Sequence, residues 1–274
     1  MGKFSGKLLV ADFDGTLRPL GQREVPPENR EACRYFMEEG GLFTVATGRD
    51  PLSFLHIRPL FTINAPAVLS NGVVLFDAET GEDVYEGFLP FSARRDMKAV
   101  LEAFPETGME IIRGLDIRVA RNNANITEHL TDMGARVVLS DMDKVMFPWA
   151  KTVIITEGDM KAESPRAHEI ARWIHEKFPG VYEAVPSGPI VDIAAAGNNK
   201  GTGVEKLAML LDIPRENVCC VGDSWNDLPM LQWAGRAFVP ADAIGEIRTQ
   251  PGVITVGECA HCMRSVVEYL EREG

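Results

Sequence analysis

A chain of 274 residues, 45% hydrophobic and 25% charged, has an ordinary globular composition and enough length for one large domain or two modest ones. Its formal charge of -12 disfavours long-range attraction to nucleic acid or an anionic membrane, and no Lys/Arg-rich stretch with interleaved aromatics offsets it. No apolar run approaches the ~20 residues of a membrane helix, and the N-terminus lacks a basic, a hydrophobic and a cleavable segment in series, so the expectation is a cytoplasmic protein with no nucleic-acid and no membrane partner.

Leu8, Leu9, Val10 and Ala11 form a continuous apolar run, as a central parallel strand covered on both faces requires. It runs directly into Asp12 and Asp14, and Gly15 then lets the chain turn away from the sheet edge where α/β proteins bind ligands. An Asp-Gly turn or a helix cap is the plain structural alternative. A calcium loop starting at Asp12 would need glycine at its sixth position and glutamate at its twelfth, where this chain has Leu17 and Arg23. A helix over Pro27 to Glu39 and a strand over Leu42 to Ala46 complete a βαβ unit. That second strand ends in Thr47-Gly48-Arg49, Pro51 opens another helix, and a third strand, Ala67 to Ser70, ends in Asn71-Gly72.

From about Val73 to Pro189 the pattern changes to a mixture. A hairpin is expected around Thr80-Gly81, helices over Ser92 to Phe104, Asn125 to Met133 and Pro165 to Phe178, and strands over Glu110 to Arg113, Arg136 to Leu139, Thr152 to Thr156 and Val181 to Ala184. This reads as an inserted α+β domain, with the chain crossing between domains near Gly81 and at Pro186-Ser-Gly-Pro189. The domains are therefore expected at 1–81 with 189–274, and at 82–188. Alternation then returns: strand Ile190 to Ala194, helix Gly201 to Leu211, strand Val218 to Val221, helix Asp227 to Trp233, short strands at Ala237 to Val239 and Val253 to Val256, and an amphipathic helix over His261 to Glu271. Of the five cysteines, Cys259 and Cys262 are spaced as a ligand pair, but no second pair exists to complete a zinc site, so packing in a reducing compartment is expected.

The strand at Val218 runs into Gly222-Asp223-Ser-Trp-Asn-Asp227, adding two acids to Asp12 and Asp14. Helix capping by Ser224 or Asn226 accounts for one acid but not for four. Four converging carboxylates repel unless a cation sits among them, and oxygen donors without nearby His or Cys favour Mg²⁺ over zinc. Thr47-Gly48-Arg49 and Lys200 add a hydroxyl, exposed helix-start amides and an ammonium able to hold phosphate oxygens. Phosphate loops of the Gly-x₄-Gly-Lys-Ser/Thr and dinucleotide types are missing, as is a Gly-x-Ser-x-Gly elbow.

In order, Asp12-Phe-Asp14-Gly-Thr-Leu, Thr47-Gly-Arg49, Lys200 and Gly222-Asp223-Ser-Trp-Asn-Asp227 resemble the four motifs of the haloacid dehalogenase superfamily. Ser70-Asn-Gly72, Val191-Asp-Ile193 before the lysine, Met230 after Asp227, and an insertion between the second and third motifs make the chain similar to Cof-type phosphatases. The resemblance implies a Rossmann-like parallel-sheet core with an inserted α+β C2B cap that selects the substrate. Asp12 would be the nucleophile forming an aspartyl-phosphate, and Asp14 the general acid and base. Thr47, Gly48 and Lys200 would hold the phosphoryl group. Mg²⁺ would be held by the Asp12 carboxylate, the Asp14 backbone carbonyl and Asp223, with Asp227 acting through water or behind the ligands, and Arg49, Asn71 and Asn226 in support. Asp14 itself points away from halide chemistry, which does not need the second aspartate.

In the insertion, Arg94, Arg95, Lys98, Arg113, Arg118, Arg121 and Arg136 could meet a second anionic group, with Arg113 and Arg118 favoured because they flank Gly114; solvated faces are the alternative. Trp225, inside the acidic loop, is the tryptophan placed to stack on a ligand ring. The resemblance implies a Mg²⁺-dependent phosphomonoesterase for a small phosphorylated metabolite, with sugar phosphates, including mannosyl-3-phosphoglycerate, first among them. A phosphohexomutase of the phosphomannomutase type and a non-catalytic metal-binding interaction domain are the alternatives. Monomer and homodimer are both left open.

Overall fold

The computed structural model describes residues 2–132, 135–160, 162 and 164–273. Along the chain run β1 (Leu8–Ala11), α1 (Pro27–Glu38), β2 (Leu42–Val45), α2 (Pro51–Ile57), β3 (Ala67–Leu69), β4 (Val74–Asp77), β5 (Glu82–Glu86), α3 (Ala93–Ala103), β6 (Gly108–Arg113), β7 (Asp116–Arg121) and α4 (Ala124–Asp132). There follow β8 (Lys151–Ile155), α5 (Pro165–Lys177), β9 (Tyr182–Ser187), β10 (Ile190–Ala195), α6 (Lys200–Leu210), β11 (Val218–Val221), α7 (Leu228–Trp233), β12 (Arg236–Val239), α8 (Gly245–Arg248), β13 (Val253–Thr255) and α9 (Cys262–Glu273). They divide into two compact units, one of Met1–Arg49, Ile57–Tyr85 and Asn199–Gly274, the other of Asp50–His56 and Glu86–Asn198.

The first unit is built on a parallel sheet in the order β13-β12-β11-β1-β2. Leu8 and Val10 of β1, Val218 and Cys220 of β11, and Ala237 and Val239 of β12 pack on Val204 and Leu207 of α6 and Met230 and Leu231 of α7. The intervening residues serve the opposite face, where Phe238 meets Tyr269 of α9 edge to face. Both faces being covered explains why β1 and β11 read as unbroken apolar runs. Of the expected elements, β3 departs from the series: it pairs antiparallel with β4 in a small sheet β3-β4-β5, and on its other side it lies beside β2, its one ladder pairing there being the parallel bridge between Ala46, just past β2, and Val68.

The second unit is an antiparallel sheet in the order β7-β6-β8-β10-β9. One face carries Met109, Ile111, Ile154, Val191 and Ile193 against Met97, Val100, Ile170 and Ile174 of α3 and α5. Ile112, Val119, Val153 and Ile155 lie on the other, against Ile126 and Leu130 of α4. Mixed α/β architecture, with a parallel core and an antiparallel second sheet, is what the sequence implied.

Three expectations need correction. Ile190–Ala195 is not a return to the parallel sheet: Ile190 pairs with Ser187 and Ile155, so Pro186 to Pro189 is a hairpin corner rather than a crossing between domains. An apolar strand carries no mark of which sheet will take it. Arg136 to Leu139 is not a strand; its extended pairing is the single bridge Val119 to Leu139. Gly114 sits in a tight hairpin turn, so Arg118 lies on β7, a strand whose alternation of charged and apolar residues had not been recognised. The short α8 was likewise not expected. The expected end of the fourth helix, Met133, lies outside the described residues. Among those residues no helix is long and apolar enough to cross a membrane.

Glu110 faces the second side of this antiparallel sheet, fully buried, with neither carboxylate oxygen hydrogen-bonded. Burial, then the negative charge of Asp50, push it up to about 8 against the pull of Lys151, which is itself paired with Asp192 at 2.6 Å; His129 Nε2 lies 3.9 Å away. A carboxyl raised in the folded state binds a proton there that the unfolded chain, titrating near 4.5, does not, so stability falls as pH rises from about 4.5 to 8. In urea unfolding at pH 5 and pH 8, Glu110→Gln should lose roughly 2–4 kcal/mol less than the wild type over this interval. Parallel losses in the two proteins would show that Glu110 is not the titrating group.

Candidate active site

β1 delivers Asp12 to the C-terminal edge of the parallel sheet, where the backbone N–H of Asp12 donates to the carbonyl of Val221 at 2.9 Å. The register pairs Ala11 with Val221, so the loops after β1 and β11 lie side by side. They approach so closely that a Cβ on Gly15 would stand 2.5 Å from Asp223 Oδ2, and Gly15 also has φ +94, a conformation that glycine adopts without strain. Thr16 completes the link, its hydroxyl donating to Asp223 Oδ1 at 2.8 Å.

Lys200 is the first residue of α6, a helix capped by reciprocal bonds between Asn199 and Thr202 at 3.0 and 3.1 Å. Its ammonium is buried and donates to Asp12 Oδ1 and Asp227 Oδ1, each at 2.6 Å. Burial opposes its charge, but the two carboxylates outweigh burial and hold its proton well above the ordinary range. Asp227 Oδ2 accepts the backbone N–H groups of Asp223 and Ser224 at 2.9 and 3.0 Å. Asp227 is thus engaged at both oxygens, which staples its loop to Lys200.

Asp12, Asp223 and Asp227 offer oxygens all within 4.8 Å of one another, the one such group of acidic, His or Cys side chains among the described residues. Burial, opposed by Lys200 and reinforced by Asp227, pushes Asp12 up; burial and then Asp227 push Asp223 up to about 7. Carboxylates this close favour a proton or a cation among them. Three carboxylates against one ammonium leave two negative charges, and the donors are oxygens throughout, so the residues present fit a hard divalent cation.

Asp14 lies on the same loop, about a third exposed. Its carboxylate accepts Arg49 Nε at 2.8 Å on Oδ2 and a guanidinium nitrogen of Arg18 on Oδ1. Burial raises its proton affinity, but Arg49 and then Arg18 more than offset this and hold it below the usual carboxylate range. Thr47 lies two residues past the end of β2 and is buried; its hydroxyl accepts the backbone N–H of Arg49 at 3.3 Å, and its carbonyl accepts that of Asn71 at 3.0 Å. Asn71 adopts φ +54, and its side-chain carbonyl accepts Asn226 Nδ2 at 3.2 Å. Gly48 carries no side chain where Asn71 approaches it.

Asp12, Asp14, Thr47, Gly48, Arg49, Asn71, Lys200, Asp223, Asn226 and Asp227 therefore all belong to the first unit. Thr16 lies within the first motif, whereas Arg18 carries no sequence signal beyond standing four residues after Asp14. Trp225 is more than half exposed beside this loop, whereas Trp149 and Trp173 belong to the second unit's core. Arg113 and Arg118 are in that second unit, Arg118 paired with Asp116 and Arg113 over the Phe88 ring at 6.0 Å. Several other insertion cations are occupied structurally: Arg121 donates to the carbonyls of Leu101, Phe104 and Pro105, and Lys98 pairs with Asp143. Cys259 and Cys262 are buried and both thiols point to the Thr16 carbonyl at 3.1 Å, consistent with packing.

A family model described as haloacid dehalogenase-like hydrolase matches residues 9–256. The chain is 26% identical to the putative phosphatase YxeH of Bacillus subtilis, covering 88% of this chain and 89% of that protein. It is 25% identical to the HMP-PP phosphatase of Yersinia pseudotuberculosis, over 96% and 94% of the two chains. Among solved structures, the HAD subclass IIB sugar phosphatase BT4131 superposes with a TM-score of 0.78 at 19% identity, covering 98% of this chain and 99% of the other.

Proposed function

The chain belongs to the haloacid dehalogenase-like hydrolases and is a phosphatase of that family, and on this footing we propose that it hydrolyses a small phosphorylated metabolite, with sugar phosphates first among the candidates, through an aspartyl-phosphate on Asp12. The observation that carries the reading is the placement of Asp12: a buried carboxylate at a parallel-strand tip, fixed by Lys200 at 2.6 Å, with Asp14 presented two residues later.

Asp12 attacks phosphorus as the bond to the leaving oxygen breaks, and Asp14, about a third exposed and so able to take up a proton from solvent beforehand, delivers that proton to the leaving oxygen. Asp14 then takes a proton from water, whose oxygen attacks the phosphorus of the acyl phosphate, releasing inorganic phosphate and restoring the Asp12 carboxylate. Thr47, Gly48 and Lys200 orient the phosphoryl oxygens and oppose their charge. Asp223 and the Asp14 backbone carbonyl, with Asp12, would hold Mg²⁺, which supplies neutralisation of charge on the phosphoryl group. Asp227 keeps Lys200 and the loop carrying Asp223 in place.

The test is phosphate release from sugar phosphates, pyridoxal phosphate, an organic diphosphate and a chromogenic ester, with Mg²⁺ and with EDTA. Phosphate appearing at the rate of substrate loss, and only with the divalent ion, supports the reading. Isomerised hexose phosphate without free phosphate would overturn it in favour of a mutase.

A further inference from the structure

The turn after Asp12 is closed by three backbone bonds, Leu17 N–H to Asp12 O at 3.2 Å, Arg18 N–H to Phe13 O at 2.9 Å and Gly15 N–H to Arg18 O at 2.8 Å. This returns the Arg18 side chain to Asp14, opposite Arg49. Both guanidiniums lie over the buried Phe13 ring, 4.7 and 5.5 Å from its centroid, and Phe13 is backed by Phe61. Two guanidiniums on one carboxylate leave one positive charge in surplus within this trio, in a protein of net charge -12. Arg18 Nε is, in addition, buried with no hydrogen-bond partner. A buried charged donor lacking an acceptor is costly unless a ligand supplies one.

We propose that Arg18 recognises a second negative charge on the leaving group, so that preferred substrates carry a carboxylate or a further phosphate within two or three bonds of the scissile ester oxygen. This rests on the phosphatase reading, because the carboxylate that protonates the leaving oxygen marks the side on which the leaving group lies. Arg18 and Arg49 bond to that carboxylate directly, so an anion attached close to the ester oxygen comes within reach of the same donors. A guanidinium offers such an anion two parallel donors in a fixed fork. The Arg18 side chain is 17% exposed, and a neutral leaving group brings no charge to that exposed part.

The test compares kcat/KM within two pairs that differ in the second charge: 2-phosphoglycerate against glycerol 2-phosphate for a carboxylate, and methyl diphosphate against methyl phosphate for a phosphate. Wild type, Arg18→Gln and Arg18→Lys are measured with both. Wild type should favour the charged member of at least one pair about tenfold, Arg18→Gln should remove most of that ratio through KM, and Arg18→Lys should keep part of it. Which pair responds identifies the anion. Equal losses on charged and neutral members in Arg18→Gln, or no preference in wild type, would overturn the proposal and leave Arg18 as a positioning residue for Asp14. If wild type releases phosphate from none of the four compounds, nor from the wider panel, the phosphatase reading fails, and this inference with it.

Discussion

Asp12→Asn is expected to lower phosphate release at least ~10⁴-fold while leaving the fold intact. An amide has the same shape and can still accept from Lys200, but it cannot form the acyl phosphate that divides hydrolysis into two steps. The fold should tolerate the change because Asp12 is a net cost to the unliganded protein: burial, with Asp227 and Asp223, outweighs the pull of Lys200 on its charge. Removing that charge leaves Lys200 paired with Asp227 at 2.6 Å and two carboxylates beside one ammonium. Thermal unfolding of the variant in EDTA should therefore occur at or slightly above the wild-type temperature. Phosphate release above about one percent of wild type, from protein shown free of contaminating phosphatase, would remove Asp12 from the role of nucleophile.

Lys200→Met should damage both stability and activity. Among the described residues Lys200 is the cation paired with both Asp12 and Asp227, and its loss leaves these two buried carboxylates without that counter-charge. Removing one member of a buried ion pair costs ~3–5 kcal/mol, because the remaining charge stays desolvated. Urea unfolding in EDTA should show a loss of that order. Saturating Mg²⁺ should restore part of it, since an ion binding only the folded state stabilises it by mass action. The kcat of the variant should fall by ~10³-fold or more, reflecting loss of charge stabilisation at the phosphoryl group. A stability loss below about 1 kcal/mol would mean that the carboxylates are already neutral in the folded protein.

Much of the site was legible locally. Asp12 and Asp14 follow a fully apolar strand, Asp223 and Asp227 follow another, and a strand buried on both faces must end at the sheet edge where its next residues are presented together. Thr47 and Lys200 could be placed at a strand end and a helix start for the same reason: turn and capping signals act over three or four residues. The helices at Pro27, Pro165 and Cys262 followed from proline at the first turn or from apolar spacing.

By itself, then, the sequence determined the parallel strand ends, the residues that they present and the chemistry those residues can share. The tertiary structure alone decided that β10 joins the antiparallel sheet, because partners for an apolar strand come from β8 and β9 rather than from its own pattern. It alone decided that both oxygens of Asp227 are engaged by Lys200 and two backbone amides, and that Glu110, on a strand otherwise apolar in its middle, is buried without a hydrogen bond. Likewise the two arginines on Asp14 come from opposite loops, 31 residues apart, as their numbers 18 and 49 show. Backbone periodicity and capping are local energies and can be read from neighbouring residues, whereas charge pairing and strand partnership depend on which distant segments the fold brings within a few ångströms.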